Sequence, residues 1–416
     1  MAIISISDSQ VNGANQILVA DGSSKIPAKD GSQITILNAT NVATGTIAST
    51  RLDTGTTANK LVLLDGSGNL PAVDASLLTG IVSATISASD PTISTNPSGG
   101  VGTEWNNSTS GEMYICTDAT AGANVWTNVG AGSGNVQPYS FIGESYGYCL
   151  GGEATNIIDR FPFATQTNAT DVGDLTQTTT NICGASSQTH GYTLGENASP
   201  NNYIGKVQFV ATADGTDVGN LSIGRYSPAG CSSEANGYAA GGDGSSDNVI
   251  DKISFSSDGN GTDIANLTVG RFYTDGVSAT DYGYVAGGLP QVDTIDRFPF
   301  ATDSDATDVG NLSASRWSLG ASTKGSQDYG YCFGSYPATN RIDKYALASS
   351  ANGTDIADMA SSKDMVHCCS ATSYSYLCGG RPYQNTIEQF NTSTDANSTD
   401  WADLTANRAN IATSQY

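Results

Sequence analysis

Carboxylates dominate the residues of this chain that could do chemistry. Its 416 residues include 40 Asp and Glu but only two histidines, His190 and His367, which lie far apart. The eight cysteines show no metal-ligand spacing. A glycosidase needs an asymmetric carboxylate pair, whereas these carboxylates recur in step with a repeat, and no nucleophile elbow or phosphate-binding loop is present. We therefore expect no enzymatic activity, no catalytic residue and no metal centre.

Calcium binding is the one alternative that the acidic loops leave open. Residues 258–263 (DGNGTD) and 303–308 (DSDATD) place oxygen-bearing side chains at alternating positions, as Ca²⁺ prefers. Asp and Asn in such loops also bond to their own backbone and stabilise turns. The related loops at 168–171 and 214–217 keep only part of the oxygen set. The sequence therefore favours turn formation and no cofactor.

These loops belong to a unit that occurs six times. Each copy contains a tyrosine, then an isoleucine, and an aspartate 13 residues after the isoleucine. The tyrosines are Tyr148, Tyr192, Tyr238, Tyr284, Tyr331 and Tyr376. The aspartates are Asp171, Asp217, Asp263, Asp308, Asp355 and Asp400. A fixed period in the forties is typical of stacked or radially arranged units.

Each unit has the pattern of short β-strands. Gly-Gly, Asn-Gly and Asp-Gly separate runs of Val, Ile, Phe and Tyr, and no window has the period of a long amphipathic helix. Four short strands fit in a unit of about 46 residues, which is the size of one propeller blade. The sequence predicts an all-β fold in which residues 137–416 form a six-bladed β-propeller.

The units also resemble known families. A Gly-Gly that follows a strand containing an aromatic residue is similar to a kelch-type repeat. Residues 295–302 (IDRFPFAT) and 307–312 (TDVGNL) resemble repeats in structural proteins of tailed bacteriophages. The resemblance covers roughly residues 138–416 and implies a kelch-like propeller in a virion protein.

Residues 1–82 carry two related repeats, at 14–35 and 58–79. The segment between them, at 37–47, resembles shaft and linker segments of phage tail fibres. Short apolar runs such as 61–64 cannot build a closed core in one chain, but three chains wound together can bury them. The sequence predicts a fibre shaft or virion anchor and a parallel homotrimer. The alternative is a flexible low-complexity leader.

Residues 83–136 form a separate small module. Its apolar runs predict a three-stranded meander with Trp105, Tyr114 and Trp126 as the core. It resembles a small module found in phage fibre and appendage proteins.

Two segments compete for the strand that closes the propeller. The segment 408–416 matches the strand that precedes the tyrosine in the other units, so pairing with the Tyr148 strand would close the ring and remove its sheet edges. Residues 140–143 match the same strand, and the sequence does not decide between them. The cysteines are expected to be buried free thiols formed in a reducing cytoplasm. A disulfide between adjacent strands, such as Cys369 with Cys378, stays open.

The net charge of −23 argues against binding to nucleic acid or to an anionic membrane. The start of the chain lacks a signal peptide, and no apolar run approaches the roughly 20 residues of a membrane span. Ten of the 17 basic residues recur at two positions of the unit: Arg160, Lys206, Lys252, Arg297, Lys344, and Arg225, Arg271, Arg316, Lys363, Arg408. This recurrence predicts structural ion pairs rather than a ligand patch.

The loops between Gly-Gly and the isoleucine vary in length and composition, whereas the segment from isoleucine to aspartate is constant. Varied loops on a constant scaffold are typical of binding faces. The candidate receptor-binding residues there are Tyr203, Tyr336, Arg381 and Tyr383.

Together with the resemblance, these loops predict a tail fibre or fibre-like appendage on the virion surface. Its N-terminal region would attach to other virion proteins, and its distal propeller would bind a host-surface receptor such as a glycan. One alternative is a non-adhesive structural protein, such as a head fibre, a capsid decoration or a neck or tail adaptor. Another is a cellular kelch-like adaptor, which the N-terminal third disfavours.

Overall fold

The computed structural model describes residues 84–129, 140–153, 155–196, 202–243 and 248–416. Within these ranges the regular elements are β-strands and no helix occurs. The predicted all-β class is therefore confirmed. The expected fibre shaft at 1–82, and the trimer that it implies, lie outside the described residues.

The small module is a four-stranded sheet rather than the expected three-stranded meander. Its strands are β1 (Thr85–Ser87), β2 (Glu104–Asn107), β3 (Met113–Asp118) and β4 (Val125–Asn128). The added strand β1 pairs parallel with β2. A parallel pair needs a long crossover connection, and residues 88–103 supply it.

The core predicted for the module is confirmed. Tyr114 and Trp126 are fully buried. The Trp105 ring packs edge-on against Trp126 with 5.8 Å between ring centroids. The indole N–H of Trp105 donates to the Ser89 carbonyl at 2.9 Å, so its polar edge is satisfied.

Six four-stranded antiparallel sheets follow, one for each repeated unit. Sheet 1 contains β5 (Tyr146–Gly152), β6 (Thr155–Pro162), β7 (Thr170–Thr179) and the C-terminal β28 (Ala412–Gln415). Sheet 2 contains β8 (Cys183–Ser186), β9 (His190–Leu194), β10 (Tyr203–Gln208) and β11 (Thr216–Asn220). Sheet 3 contains β12 (Ala229–Ser232), β13 (Asn236–Ala240), β14 (Val249–Ser254) and β15 (Thr262–Asn266).

The remaining three sheets have the same order of strands. Sheet 4 contains β16 (Asp275–Ser278), β17 (Tyr282–Ala286), β18 (Thr294–Pro299) and β19 (Thr307–Asn311). Sheet 5 contains β20 (Gly320–Thr323), β21 (Tyr329–Phe333), β22 (Thr339–Ala346) and β23 (Thr354–Lys363). Sheet 6 contains β24 (His367–Ser370), β25 (Tyr374–Cys378), β26 (Gln384–Asn391) and β27 (Thr399–Arg408).

Sheet 1 is assembled from both ends of this region. Strand β28 pairs antiparallel with β5, and Ser414 lies opposite Tyr148. The competing segment 140–143 forms no strand, and its Gly143 makes one isolated bridge to Ala371. Of the two candidates, the C-terminal segment therefore supplies the strand beside Tyr148.

The first strands of the six sheets (β28, β8, β12, β16, β20 and β24, here called the entry strands) are joined by hydrogen bonds near their ends. The backbone N–H of each donates to a side-chain oxygen on the next, at distances from 2.8 to 3.4 Å. The donors follow the cycle Ser186, Ser232, Ser278, Thr323, Ser370, Gln415 and back to Ser186. All six entry strands also line one cavity of about 380 Å³, part of it open to solvent.

The recurring tyrosines explain how neighbouring sheets pack. All six are at most 1% exposed, and each ring contacts an aromatic residue from the third strand of the next sheet or just beyond it. Tyr192 stacks on Phe255 at 4.8 Å, and Tyr331 meets Phe390 edge-on at 5.2 Å. Such pairs contribute about 0.5–1.5 kcal/mol each beyond their burial. The tyrosine and the third-strand aromatic therefore recur because they meet across each junction.

Arg160 and Arg297 pack over the rings of Tyr146 and Tyr282, and the other eight recurring basic residues form the predicted structural ion pairs. Five of them join successive sheets as buried pairs: Arg225–Asp251, Arg271–Asp296, Arg316–Asp343, Lys363–Glu388 and Arg408–Asp159. The acids follow the recurring isoleucine directly in the sequence. At the junction of sheets 1 and 2, Thr179 and Gly205 occupy the two positions, so both partners are replaced together.

The acidic loops serve the same inter-sheet role. Asp258 pairs with Lys206 at 2.9 Å, Asp303 pairs with Lys252 at 2.5 Å, and Asp305 accepts the backbone N–H of Asn266 at 2.8 Å. These oxygens bond to the preceding sheet. The last aspartate of the loops makes the expected turn bond to its own backbone, since Asp308, Asp171 and Asp217 accept the N–H groups of Gly310, Gly173 and Gly219 at 3.0, 3.1 and 3.2 Å. The expected turn formation is therefore confirmed at these positions, and the other oxygens join neighbouring sheets. Among the described residues no group of three or more His, Cys, Asp or Glu side chains could hold a metal ion.

All eight cysteines are buried free thiols, as expected. Cys149, Cys369 and Cys378 pack in one apolar cluster at the junction of sheets 6 and 1. The alternative disulfide between Cys369 and Cys378 is not formed.

Candidate binding face

One end of the six sheets carries the varied loops, and we call it the loop face. Isolated bridges there extend the pairing between the entry strand and the second strand of a sheet: Tyr226–Asp243, Phe272–Leu289, Trp317–Tyr336 and Asp364–Arg381. In each bridge the first residue directly follows one of the basic residues of the buried ion pairs. The ion pairs therefore anchor the backbone from which this face is built.

Three of the four candidate receptor-binding residues lie on the loop face. Tyr336 is 46% exposed and Tyr383 is 54% exposed. Arg381 is partly exposed and its Nε donates to Asp364 Oδ1 at 2.8 Å, so its charge is already paired. Partial burial and the neighbouring Glu153 carboxylate raise the pKa of Tyr383, which stays a neutral phenol.

Tyr203 does not belong to this exposed set. It starts strand β10, is 5% exposed, and its hydroxyl bonds to Thr176 Oγ1 at 2.8 Å. A Cβ at Gly205 would overlap Thr193 Oγ1 and lie 2.5 Å from the Tyr203 hydroxyl, so these two side chains occupy the space beside the position that holds an acid at the other junctions. The assignment of Tyr203 to the exposed binding surface was therefore wrong, because its side chain replaces the missing ion pair between sheets 1 and 2.

A continuous cluster of five aromatic residues is the dominant feature of the loop face. It runs through Tyr226, Phe272, Tyr273, Trp317 and Tyr336, with successive ring centroids 6.0, 5.0, 5.4 and 4.6 Å apart. The first four side chains are half-buried and Tyr336 is exposed. Partly exposed aromatic rings bring a large apolar area to the surface and suit contact with a partner. We call these five residues the aromatic cluster.

The polar groups beside the aromatic cluster are held by the protein itself. The Tyr226 hydroxyl donates to Asp243, and this bond, with burial, raises the pKa of Tyr226 to about 12. Burial raises the pKa of the Asp364 carboxyl, although the Arg381 guanidinium opposes the shift. Asn410 Nδ2 donates to Glu153 Oε1 at 3.1 Å. The geometry therefore suits binding better than proton transfer.

A small pocket of about 280 Å³, partly open to solvent, lies beside the aromatic cluster and has Tyr273 in its wall. Equivalent residues from all six junctions line it: Asn181, Ser227, Tyr273, Ser318, Met365 and Asn410. All six have φ between 50° and 57°, in the left-handed region. Backbone hydrogen bonds, such as Ser318 N–H to the Tyr273 carbonyl at 2.8 Å, link them and stabilise this unusual conformation.

His367 lines both this pocket and the larger cavity between the entry strands. Its Nδ1 lies 3.8 Å from Asp275 Oδ2, and burial lowers the pKa of His367 to about 4. Burial raises the pKa of Asp275 to about 7, although backbone N–H groups of Gly276 and Ala321 bond to the carboxylate. The pair therefore holds a proton on the carboxyl in mildly acidic solution and leaves the imidazole neutral.

Sequence reasoning missed four members of the aromatic cluster and the pocket residues. The signal was present, because Tyr226, Phe272 and Trp317 each directly follow a recurring arginine. Residues anchored next to buried ion pairs are held in place, which makes them better placed for recognition than residues at loop tips.

Comparison with known proteins gives no relative, since neither the models of known protein families nor the curated proteins contain a match to this chain. In the described part of the chain, no helix is long and apolar enough to cross a membrane.

Proposed function

We propose that residues 137–416 form a closed six-bladed β-propeller of the kelch-like kind. Three observations support it: six sheets of the same strand order, the cycle of hydrogen bonds through the entry strands, and the pairing of β28 with β5. The cavity lined by all six entry strands corresponds to the central channel of such a ring.

We further propose that the chain is a virion fibre or fibre-like appendage whose propeller binds a host-surface receptor through the loop face. The resemblance to structural proteins of tailed phages supports the virion assignment and a homotrimeric N-terminal shaft. The aromatic cluster carries the binding assignment, because aromatic side chains are enriched where proteins bind partners and dominate their binding energy.

The experiment is a binding assay on host cells with the full-length chain, fluorescently labelled. The double variant Trp317→Ala/Tyr336→Ala removes two adjacent rings of the aromatic cluster, and we expect at least a tenfold loss of binding. The matched control is Thr167→Ala/Thr394→Ala, two exposed residues in the length-constrained segments. It should bind like the parent chain.

Absence of host binding by the parent chain, or equal binding by both double variants, would contradict adhesion. A non-adhesive head fibre, decoration or adaptor would then be the function to test, by locating the labelled chain on virions in electron micrographs.

A further inference from the structure

We infer that the loop face recognises an N-acetylated amino sugar, whose acetamido group enters the small pocket while its ring stacks on the aromatic cluster. This inference rests on the proposed binding function and names the class of its ligand. It follows from the polar atoms, the apolar lining, the charge and the size of the pocket.

Two polar atoms of the pocket residues lack partners. Asn181 Oδ1 and Ser318 Oγ are buried and have no hydrogen-bond partner among the described residues. Ser318 as a whole is only 3% exposed. A buried polar atom without a partner is unfavourable, so a group that offers a donor to Asn181 and an acceptor to Ser318 would be bound preferentially. An acetamido group has both, in its N–H and its carbonyl.

The rest of the lining is largely apolar. Ile182, Pro228, Leu319 and Met365 line the same pocket as Asn181 and Ser318. A hydroxyl group would satisfy the polar atoms but leave this apolar surface uncovered. The methyl of an acetamido group covers it, and burying one methyl is favourable by a few-fold to tenfold in affinity.

Charge argues for a neutral ligand. His367 is the one ionisable residue of the lining apart from Tyr273, and its lowered pKa keeps it neutral above about pH 4. The nearby Asp243 and Asp364 are engaged by Tyr226 and Arg381. A phosphate, sulfate or carboxylate would find no free cation among the described residues that line this pocket, whereas an amide requires none.

The size of the pocket suits a substituent rather than a whole sugar. Its space of about 280 Å³ includes open solvent, so the enclosed part holds a few heavy atoms of a substituent and not a whole sugar. Tyr273 in its wall lies 5.4 Å from Trp317, which lies 4.6 Å from Tyr336. A pyranose ring on this platform would point one substituent into the pocket.

The test is calorimetric titration of the full-length chain with two tetrasaccharides, β-1,4-linked N-acetylglucosamine and β-1,4-linked glucose. They differ in the acetamido group alone, and we expect at least a tenfold preference for the first. Ser318→Gly removes the hydroxyl and suits the left-handed backbone at this position, so it should fold and lose about tenfold of that preference. Trp317→Ala should weaken both sugars together.

Ser256→Ala, which removes an exposed hydroxyl in the turn between β14 and β15, is the control and should keep the preference. Equal affinity for both sugars, or an unchanged preference in Ser318→Gly, overturns the acetamido assignment. If neither sugar binds while the parent chain still binds host cells, the ligand class is wrong and the adhesive function stands. If the host cells are not bound either, the proposed function itself fails.

Discussion

Arg225 Nη2 lies 2.6 Å from Asp251 Oδ2, and both side chains are at most 1% exposed. Arg225 lies in the segment that connects β11 of sheet 2 to β12 of sheet 3, and Asp251 lies in β14 of sheet 3. The pair therefore fixes the connection between two sheets that share no strand ladder. Asp251 also accepts the backbone N–H of Ser222 at 2.8 Å, so the same carboxylate holds the chain that follows β11. This arrangement recurs at four further junctions and fixes the backbone next to the aromatic cluster.

Arg271→Met should destabilise the protein strongly. It leaves the buried Asp296 carboxylate without its ion-pair partner, which typically costs about 3–5 kcal/mol. Lys252→Met breaks the exposed pair with Asp303 and should cost less than about 1 kcal/mol. Urea denaturation of the two variants measures the difference, and equal losses would show that the buried pairs have no special structural role.

Tyr203→Ala should act on stability and not on recognition. The side chain is buried against Thr176, and loss of a large core ring costs about 3–5 kcal/mol. Tyr383→Ala changes an exposed ring and should stay within about 0.5 kcal/mol of the parent chain. Thermal denaturation compares them. A stable Tyr203→Ala protein that loses host binding would restore Tyr203 to the binding surface.

Deletion of residues 412–416 should open the proposed ring of sheets. It removes β28, exposes the edge of β5, and breaks the hydrogen bonds of Gln415 to β8 and β24. Exposed edges promote aggregation, so light scattering should detect particles larger than the parent assembly, and the melting transition should lose cooperativity. Substitution of Tyr416 alone by Ala, which leaves β28 intact, is the control. An unchanged transition after the deletion would contradict closure by this strand.

Asp275 and His367 should contribute to the pH dependence of stability with opposite signs. The raised pKa of Asp275, about 7, makes its contribution fall as pH rises from about 4 to 7. The lowered pKa of His367, about 4, makes its contribution rise from about pH 4 to its ordinary value of 6.5. In the parent chain these two contributions largely cancel.

Single substitutions separate the two groups. Relative to the parent chain, His367→Asn should lose stability as pH rises from 4 to 6.5, and Asp275→Asn should gain it from 4 to 7. Denaturation at several pH values gives both slopes. Slopes of the same sign in the two variants would contradict the protonation states described above.

The sequence predicted the repeated framework because its causes are periodic. Tyr192 and Phe255, or Arg271 and Asp296, recur wherever the same contact recurs. Thr179 and Gly205 interrupt the recurrence of the ion pair. The burial of Tyr203 at that junction could be recognised only in the structure. Tyr226, Phe272 and Trp317 share the position after a recurring arginine, but their contact with one another across successive junctions could be recognised only in the structure.

Competition for virion adsorption tests the central claim most directly. Virions are mixed with host cells in the presence of excess purified full-length chain, and the adsorption rate is measured. If the loop face binds the receptor, the parent chain should lower the rate at least tenfold, while Trp317→Ala/Tyr336→Ala should leave it unchanged. An adsorption rate that the parent chain does not lower at saturating concentration would contradict receptor binding by this face.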